Sequence, residues 1–475
     1  MLNNKNIEDS LRNLDISLSA LNGMFFQNNM SAQLFFGEDE FEEKSHIIFH
    51  ERFHYLQMIF TSYGHIKWGM NRTMTTEVIN DWLKLYHTKN SGYISAHYYL
   101  KEFCNSFYAP LEDIWLNDQV RIIANICDTN FIPSILKENY PDISNQMPRI
   151  PFNGSMIDVT SLYILESFAK FEEALFRYYA HDYPIEQTIN PSILDPKYYC
   201  LILYFIEKLG INRLLEFPVV CELALSIQHL PNNDSIQENH PGCRFLKIVD
   251  FLKCNSDLKL DSFTDDNAFL NYTNAILNGC EFGSWDDIWK NSIDYASASD
   301  LSHSTEMRKA IEYKINNPRA LSYALFDKDI LLSDQYIGFQ PLFTITEDGV
   351  RSKLSDVFSK EVNFENNYQA FAYQILGIPS KRCIYTDRLQ CGDSYFGVKE
   401  CEYFKQGICD GHIDKESPLI NLELSGTKLT KGCGFEFFLN VIGCTLKNIS
   451  IIDTRKKIDY SDIMKAMQSM NQESL

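Results

Sequence analysis

Two histidines four residues apart, His50 and His54, with a glutamate directly after the first, carry the most chemistry in this sequence. Side chains four apart share one face of a helix, so two imidazoles at this spacing converge on one point and can share a zinc ion. Glu51 is rotated by about 100° from His50 and is poorly placed to join them as a ligand. It can instead reach a water on the metal and act as general base. Two imidazoles, one carboxylate from elsewhere and one water complete a tetrahedral site with an exchangeable position.

The chemistry needs a helix under it, and the sequence supplies one. Asp39 with Glu42 three residues on has the form of a capping box, and helical sequence then runs through His50 and His54 to Gly64 as its stop. Ala32–Phe36 reads as a short strand leading into that helix.

The run His50-Glu51-Arg52-Phe53-His54 resembles the HExxH helix of zincin-type metallopeptidases. Three and six residues past His54 stand Gln57 and Phe60, where metzincins place a glycine and a third histidine. The resemblance therefore implies a glutamate zincin with its third ligand on a later helix. It also implies a zincin-like core in the N-terminal half; with helical patterns in the middle of the chain and a Cys-rich, strand-containing C-terminal part, the expected fold class is mainly α (α+β). Arg52 departs from the family pattern, in which uncharged residues stand between the glutamate and the second histidine. It leaves the ligand spacing intact.

Two glutamates compete for the third ligand. Glu77 has Asp81 four residues on, a Glu-x-x-x-Asp form similar to thermolysin-like enzymes, but Thr73, Thr75 and Thr76 beside it are poor helix formers. Glu166 lies in a strongly helical stretch that Asp158 or Thr160 can start and that ends before Pro184. There Glu166 and Glu173 share a face, with small Ala169 between them to let the motif helix come close. Glu166 is favoured as ligand, with Glu173 as the carboxylate that orients a ligand histidine. The Glu-x-x-Ala form is also what the resemblance implies for a third ligand. His46, one turn before His50, shares its face and reads as a packing residue. The direction of His65, after Gly64, is left open. For the oxyanion, Arg177, Tyr178, Tyr179 and His181 are of suitable type, and the sequence does not choose among them.

A second group of possible ligands lies far downstream. Cys383, Cys391, Cys401 and Cys409 fall in a Gly-containing stretch and could form a structural tetrathiolate site, with His412 as a substitute ligand. They lack tight CxxC spacing, and small buried hydrophobes are the competing reading.

Composition sets the frame. At 475 residues the chain exceeds one ordinary core, and three regions are expected: 1–235 as the zincin-like domain, 243–375 as a helical region, and 376–475 as the Cys-rich region. The stretch Leu230–Gly242 reads as a linker or exposed loop. A net charge of −20, from 43 basic and 63 acidic residues, argues against nucleic acid as a partner. No apolar run is long enough to cross a membrane, and the first residues do not have the form of a signal peptide. Thirteen cysteines without an export signal read as thiols or ligands, so a cytoplasmic protein is expected. The leading expectation is a zinc metallopeptidase acting on a protein or peptide substrate. The alternative is a catalytically degenerate zincin-like interaction or regulatory protein, which Arg52 favours, with metal or redox sensing by the C-terminal thiols as a further variant. Oligomeric state is not legible.

Overall fold

The computed structural model describes residues 23–26, 31–36, 38–66, 148–182, 196–227, 240–298, 305–347, 350–353, 419–424 and 427–431. Among these, helices dominate, with small sheets of two and four strands. Strands β1 (Gly23–Phe26) and β2 (Ser31–Leu34) lead into α1 (Ser45–Ile59). The hairpin β3 (Arg149–Phe152) and β4 (Ser155–Asp158) precedes α2 (Ser161–His181). There follow α3 (Pro196–Leu209), α4 (Phe217–Leu225), α5 (Pro241–Cys254), α6 (Asp266–Gly279), α7 (Trp285–Ala298) and α8 (Thr305–Asn316). Short helices α9 (Lys328–Leu331) and α10 (Asp334–Gly338) deliver the chain to β5 (Leu342–Glu347) and β6 (Val350–Lys353). A separate hairpin joins β7 (Leu419–Leu424) and β8 (Thr427–Lys431).

Helix α1 is shorter at both ends than its sequence suggests. Glu38–Glu40 form a 3-10 turn, and the helix starts at Ser45 with Lys44 as its N-cap and no side-chain cap, so Asp39 and Glu42 do not form the expected capping box. At the other end, the Thr61 hydroxyl donates to the Gln57 carbonyl at 2.7 Å and accepts from the Gly64 amide at 3.1 Å. That local bonding competes with the helix ladder, so α1 ends at Ile59 and a fresh helical turn occupies 62–66. Gly64 is therefore not the stop. It backs onto α1 so closely that a Cβ there would stand 2.0 Å from the Met58 carbonyl oxygen.

Helix α2 runs where the sequence places it, from the Thr160 N-cap to Asp182 in the left-handed conformation, φ 52°. It packs along α1 through aromatic side chains. Phe49 stacks on Phe176 at 4.6 Å between ring centroids, and Phe53 meets Phe168 edge-on at 4.9 Å. Each such pair contributes about 0.5–1.5 kcal/mol beyond its buried area. Ala169 is fully buried between them, consistent with the close approach that the small side chain permits.

Residues on both sides of the expected 235–243 boundary share one apolar core. It runs from Phe49 and Leu56 through Phe205, Phe217 and Phe245 to Tyr336 and Phe339. Charge ties the same parts together: Lys314 of α8 meets Glu222 of α4 at 2.6 Å, both side chains fully buried. Pro241 and Gly242, expected in a linker, begin α5 instead. His240 caps that helix by accepting from the Gly242 amide at 3.0 Å.

The four-stranded sheet has the order β1-β2-β5-β6. Its centre is a parallel pairing of β2 with β5, Ser31 opposite Leu342 and Leu34 opposite Ile345. Strands flank this pair antiparallel on both sides. The strand that precedes the motif helix is thus completed by a strand more than 300 residues downstream.

Candidate metal centre

His50 and His54 both point from α1 toward α2, where Glu166 meets them. The His50 Nε2 and His54 Nε2 atoms are 3.1 Å apart, and Glu166 Oε2 lies 3.5 Å from the first and 3.4 Å from the second. The three residues form a group that could hold a metal ion, among the described residues. The dimensions suit one. A tetrahedral ion with bonds of about 2.1 Å separates its ligand atoms by about 3.4 Å, which two sides of the triangle match and the third, at 3.1 Å, falls short of.

The outer nitrogens fix which lone pairs face inward. His54 Nδ1 bonds Gln57 Oε1 at 2.8 Å, and His50 Nδ1 stands 3.1 Å from Glu173 Oε2. The oxygen acceptor at His54 Nδ1 favours a proton there, which leaves the Nε2 lone pair of the neutral His54 ring facing the common point, while Glu173 stands beside His50 Nδ1 at ion-pair distance. Glu173 is itself held by Lys170 at 2.8 Å. Burial would raise the Glu173 carboxyl, but bonding to His50 and Lys170 outweighs it and draws the pKa down to about 2. Burial likewise opposes a charge on His50, and contacts with Glu166 and Glu173 overcome it, lifting the ring to about 10.

Glu51 is buried beside the cluster. Desolvation raises its pKa, partly opposed by the two histidines, which suits a group that must accept a proton near neutrality. Gly23 of β1 lies directly against it. A Cβ at that position would sit 2.7 Å from Glu51 Oε1, so the carboxylate would have to move aside for any side chain at residue 23.

Arg52 is about 200° around the helix from each of His50 and His54. Its guanidinium donates to the carbonyls of Tyr336 at 2.7 Å and Phe339 at 3.2 Å, and it lies over the Tyr336 ring at 5.0 Å. The Arg52 charge is thus used to hold α10 and the approach to β5.

The remaining expected site residues divide cleanly. Glu77, Asp81, Cys383, Cys391, Cys401, Cys409 and His412 lie outside the described residues. Half-buried His46 faces Glu173, Lys170 and Arg177, with its pKa lowered chiefly by burial. His65 is buried, and its Nε2–H donates to the Ile59 carbonyl at 2.8 Å. Tyr178 and Tyr179 are exposed and pack on one another, Tyr179 also on Phe326. Three contributors were not singled out from sequence. Gln57 was signalled by its place three residues after His54 on the same helix face. Gly23 and Tyr198, whose ring meets His50 edge-on at 6.0 Å, carry no local signal.

Comparison with models of protein families, with curated proteins and with solved structures returns no match. Among the described residues no helix is long and apolar enough to cross a membrane.

Proposed function

We propose that the chain is a zinc-dependent metallopeptidase of the glutamate-zincin type, with His50, His54 and Glu166 as ligands and Glu51 as general base. The observation that carries this reading is the triangle of two Nε2 atoms and one carboxylate oxygen at close to tetrahedral-edge spacing, and a buried glutamate beside it. Two imidazole nitrogens and one carboxylate oxygen, the three donors grouped among the described residues, are a set that suits zinc. When bound, zinc supplies Lewis acidity toward water and toward a scissile carbonyl.

The chain's own groups supply the rest. Glu173 and Gln57 hold the two imidazoles in one orientation. Glu51 takes a proton from the attacking water and passes it to the departing amine, a role for which burial tunes its basicity. Gly23 lets β1 lie against Glu51 and restricts where that carboxylate can move.

Metal analysis of the purified protein, beside His54→Ala, tests the first part. One zinc per chain in the wild type and loss in the variant is the expected result; no zinc in the wild type refutes the reading. Glu51→Gln tests the second part against a mixed peptide pool. Turnover should fall by at least about 10²-fold, the scale of general-base catalysis, while zinc content stays unchanged. Equal processing by the two proteins would assign any cleavage to something other than this site.

A further inference from the structure

We propose that Gln57 is a positioning residue for the metal centre: it dictates which nitrogen of His54 faces the metal and couples that ring to the helix carrying Glu166. This rests on the metal reading given above.

Gln57 is fully buried and bonded at both ends of its amide. Its Nε2 donates to the Leu165 carbonyl at 2.9 Å, and its Oε1 lies 2.8 Å from His54 Nδ1. The first bond decides the second. A backbone carbonyl oxygen can only accept, so the NH2 end of the amide must face Leu165. The oxygen end must then face His54, and an oxygen there requires a proton on Nδ1. With Nδ1 protonated, the neutral ring carries its lone pair on Nε2, the atom that lies 3.1 Å from His50 Nε2 and 3.4 Å from Glu166 Oε2. A flipped amide would set oxygen against the Leu165 carbonyl oxygen, losing that buried hydrogen bond, and would turn His54 Nδ1 into an acceptor, the opposite tautomer.

The anchor point adds a second consequence. Leu165 is the residue before Glu166, so the side chain that orients the second imidazole is fastened one peptide unit from the third ligand. The same amide thus touches the helix that carries the histidines and the helix that carries Glu166. Glu173 stands beside the other ring, at His50 Nδ1, but is itself on α2, so the two imidazoles are contacted from opposite helices.

Zinc affinity of Gln57→Met and Gln57→Glu, measured by competition with a chromophoric chelator, tests this, with thermal unfolding of the metal-free proteins as the structural control. Methionine keeps the volume and removes both bonds, so zinc should bind 10–100-fold more weakly, the usual cost of losing an outer partner of a ligand histidine. Glutamate retains an acceptor toward Nδ1–H and should stay within about threefold of wild type even though it loses the bond to Leu165. A Gln57→Met protein that is less stable but binds zinc as tightly as wild type overturns the assignment and leaves the metal reading intact. If the methionine variant does not fold, a tenfold or greater loss of affinity in Gln57→Glu overturns it instead. A wild-type protein that binds no zinc overturns both.

Discussion

Replacing Arg52 by leucine should loosen the downstream strand that completes the sheet while leaving the metal centre loaded. The guanidinium makes a 2.7 Å bond to the Tyr336 carbonyl and a longer one of 3.2 Å to Phe339, and it covers the Tyr336 ring. Hydrogen bonds from a charged donor contribute about 1.5–3 kcal/mol when short and buried, and this side chain is only half-buried. Counting the long bond as weak and the ring contact at about 0.5–1 kcal/mol, the loss comes to about 3 kcal/mol. The loss falls on the segment from α10 into β5, whose parallel pairing with β2 spans the chain. Native-state hydrogen exchange reads it directly: amides of β2 and β5 that exchange by local opening should speed up by about 150-fold, the equivalent of 3 kcal/mol. Arg52→Lys should recover only part of this, since an ammonium lacks the planar fork that reaches two carbonyls. Zinc content should match wild type in both variants. Unchanged exchange in β2 and β5 would refute the latch. Loss of zinc with unchanged exchange would show that Arg52 serves the metal site after all.

Two further expectations concern the neighbourhood of the centre. Gly23→Ala places a Cβ 2.7 Å from Glu51 Oε1, and restoring ordinary contact at 3.4 Å needs a retreat of about 0.7 Å. The atoms in the way belong to a flexible side chain, so the protein should fold and keep its zinc while peptide turnover drops by up to about 10²-fold; undiminished turnover would mean that β1 does not fix the base. The buried His65 ring gives a stability change on acidification. Burial, partly offset by the bond to Ile59, lowers its pKa from 6.5 to about 4, so between these values the unfolded chain holds a proton that the folded one does not. Its contribution is complete above pH 6.5 and is lost as pH falls toward 4, by about 1.4 kcal/mol per unit and about 3 kcal/mol in all. Thermal unfolding of wild type and His65→Gln across pH 7.5 to 4.5 should show the variant gaining relative to wild type as pH falls; a constant difference would refute the assignment.

What the sequence determined by itself is local. The four-residue spacing of His50 and His54 put two imidazoles on one face because helix geometry allows nothing else, and the seven-residue spacing of Glu166 and Glu173 did the same for two carboxylates. Helix α2 was legible to within a residue or two, since an apolar face, a start at Thr160 and a stop before Pro184 all agree. The start of α1 was misread because Asp39 has the composition of a cap, yet Glu38–Glu40 satisfy their backbone in a 3-10 turn instead. The face of α2 that carries Glu166, Ala169 and Glu173 hinted at the meeting with the motif helix, but only the tertiary structure decided between Glu166 and a glutamate elsewhere by placing Glu166 3.4–3.5 Å from the histidines. It also turned Arg52 from an apparent defect of the motif into an anchor for carbonyls some 284–287 residues away. The parallel pairing of residues 31–34 with 342–345 has the same origin: backbone hydrogen bonds carry no sequence label, and their partners are chosen by how the intervening core packs.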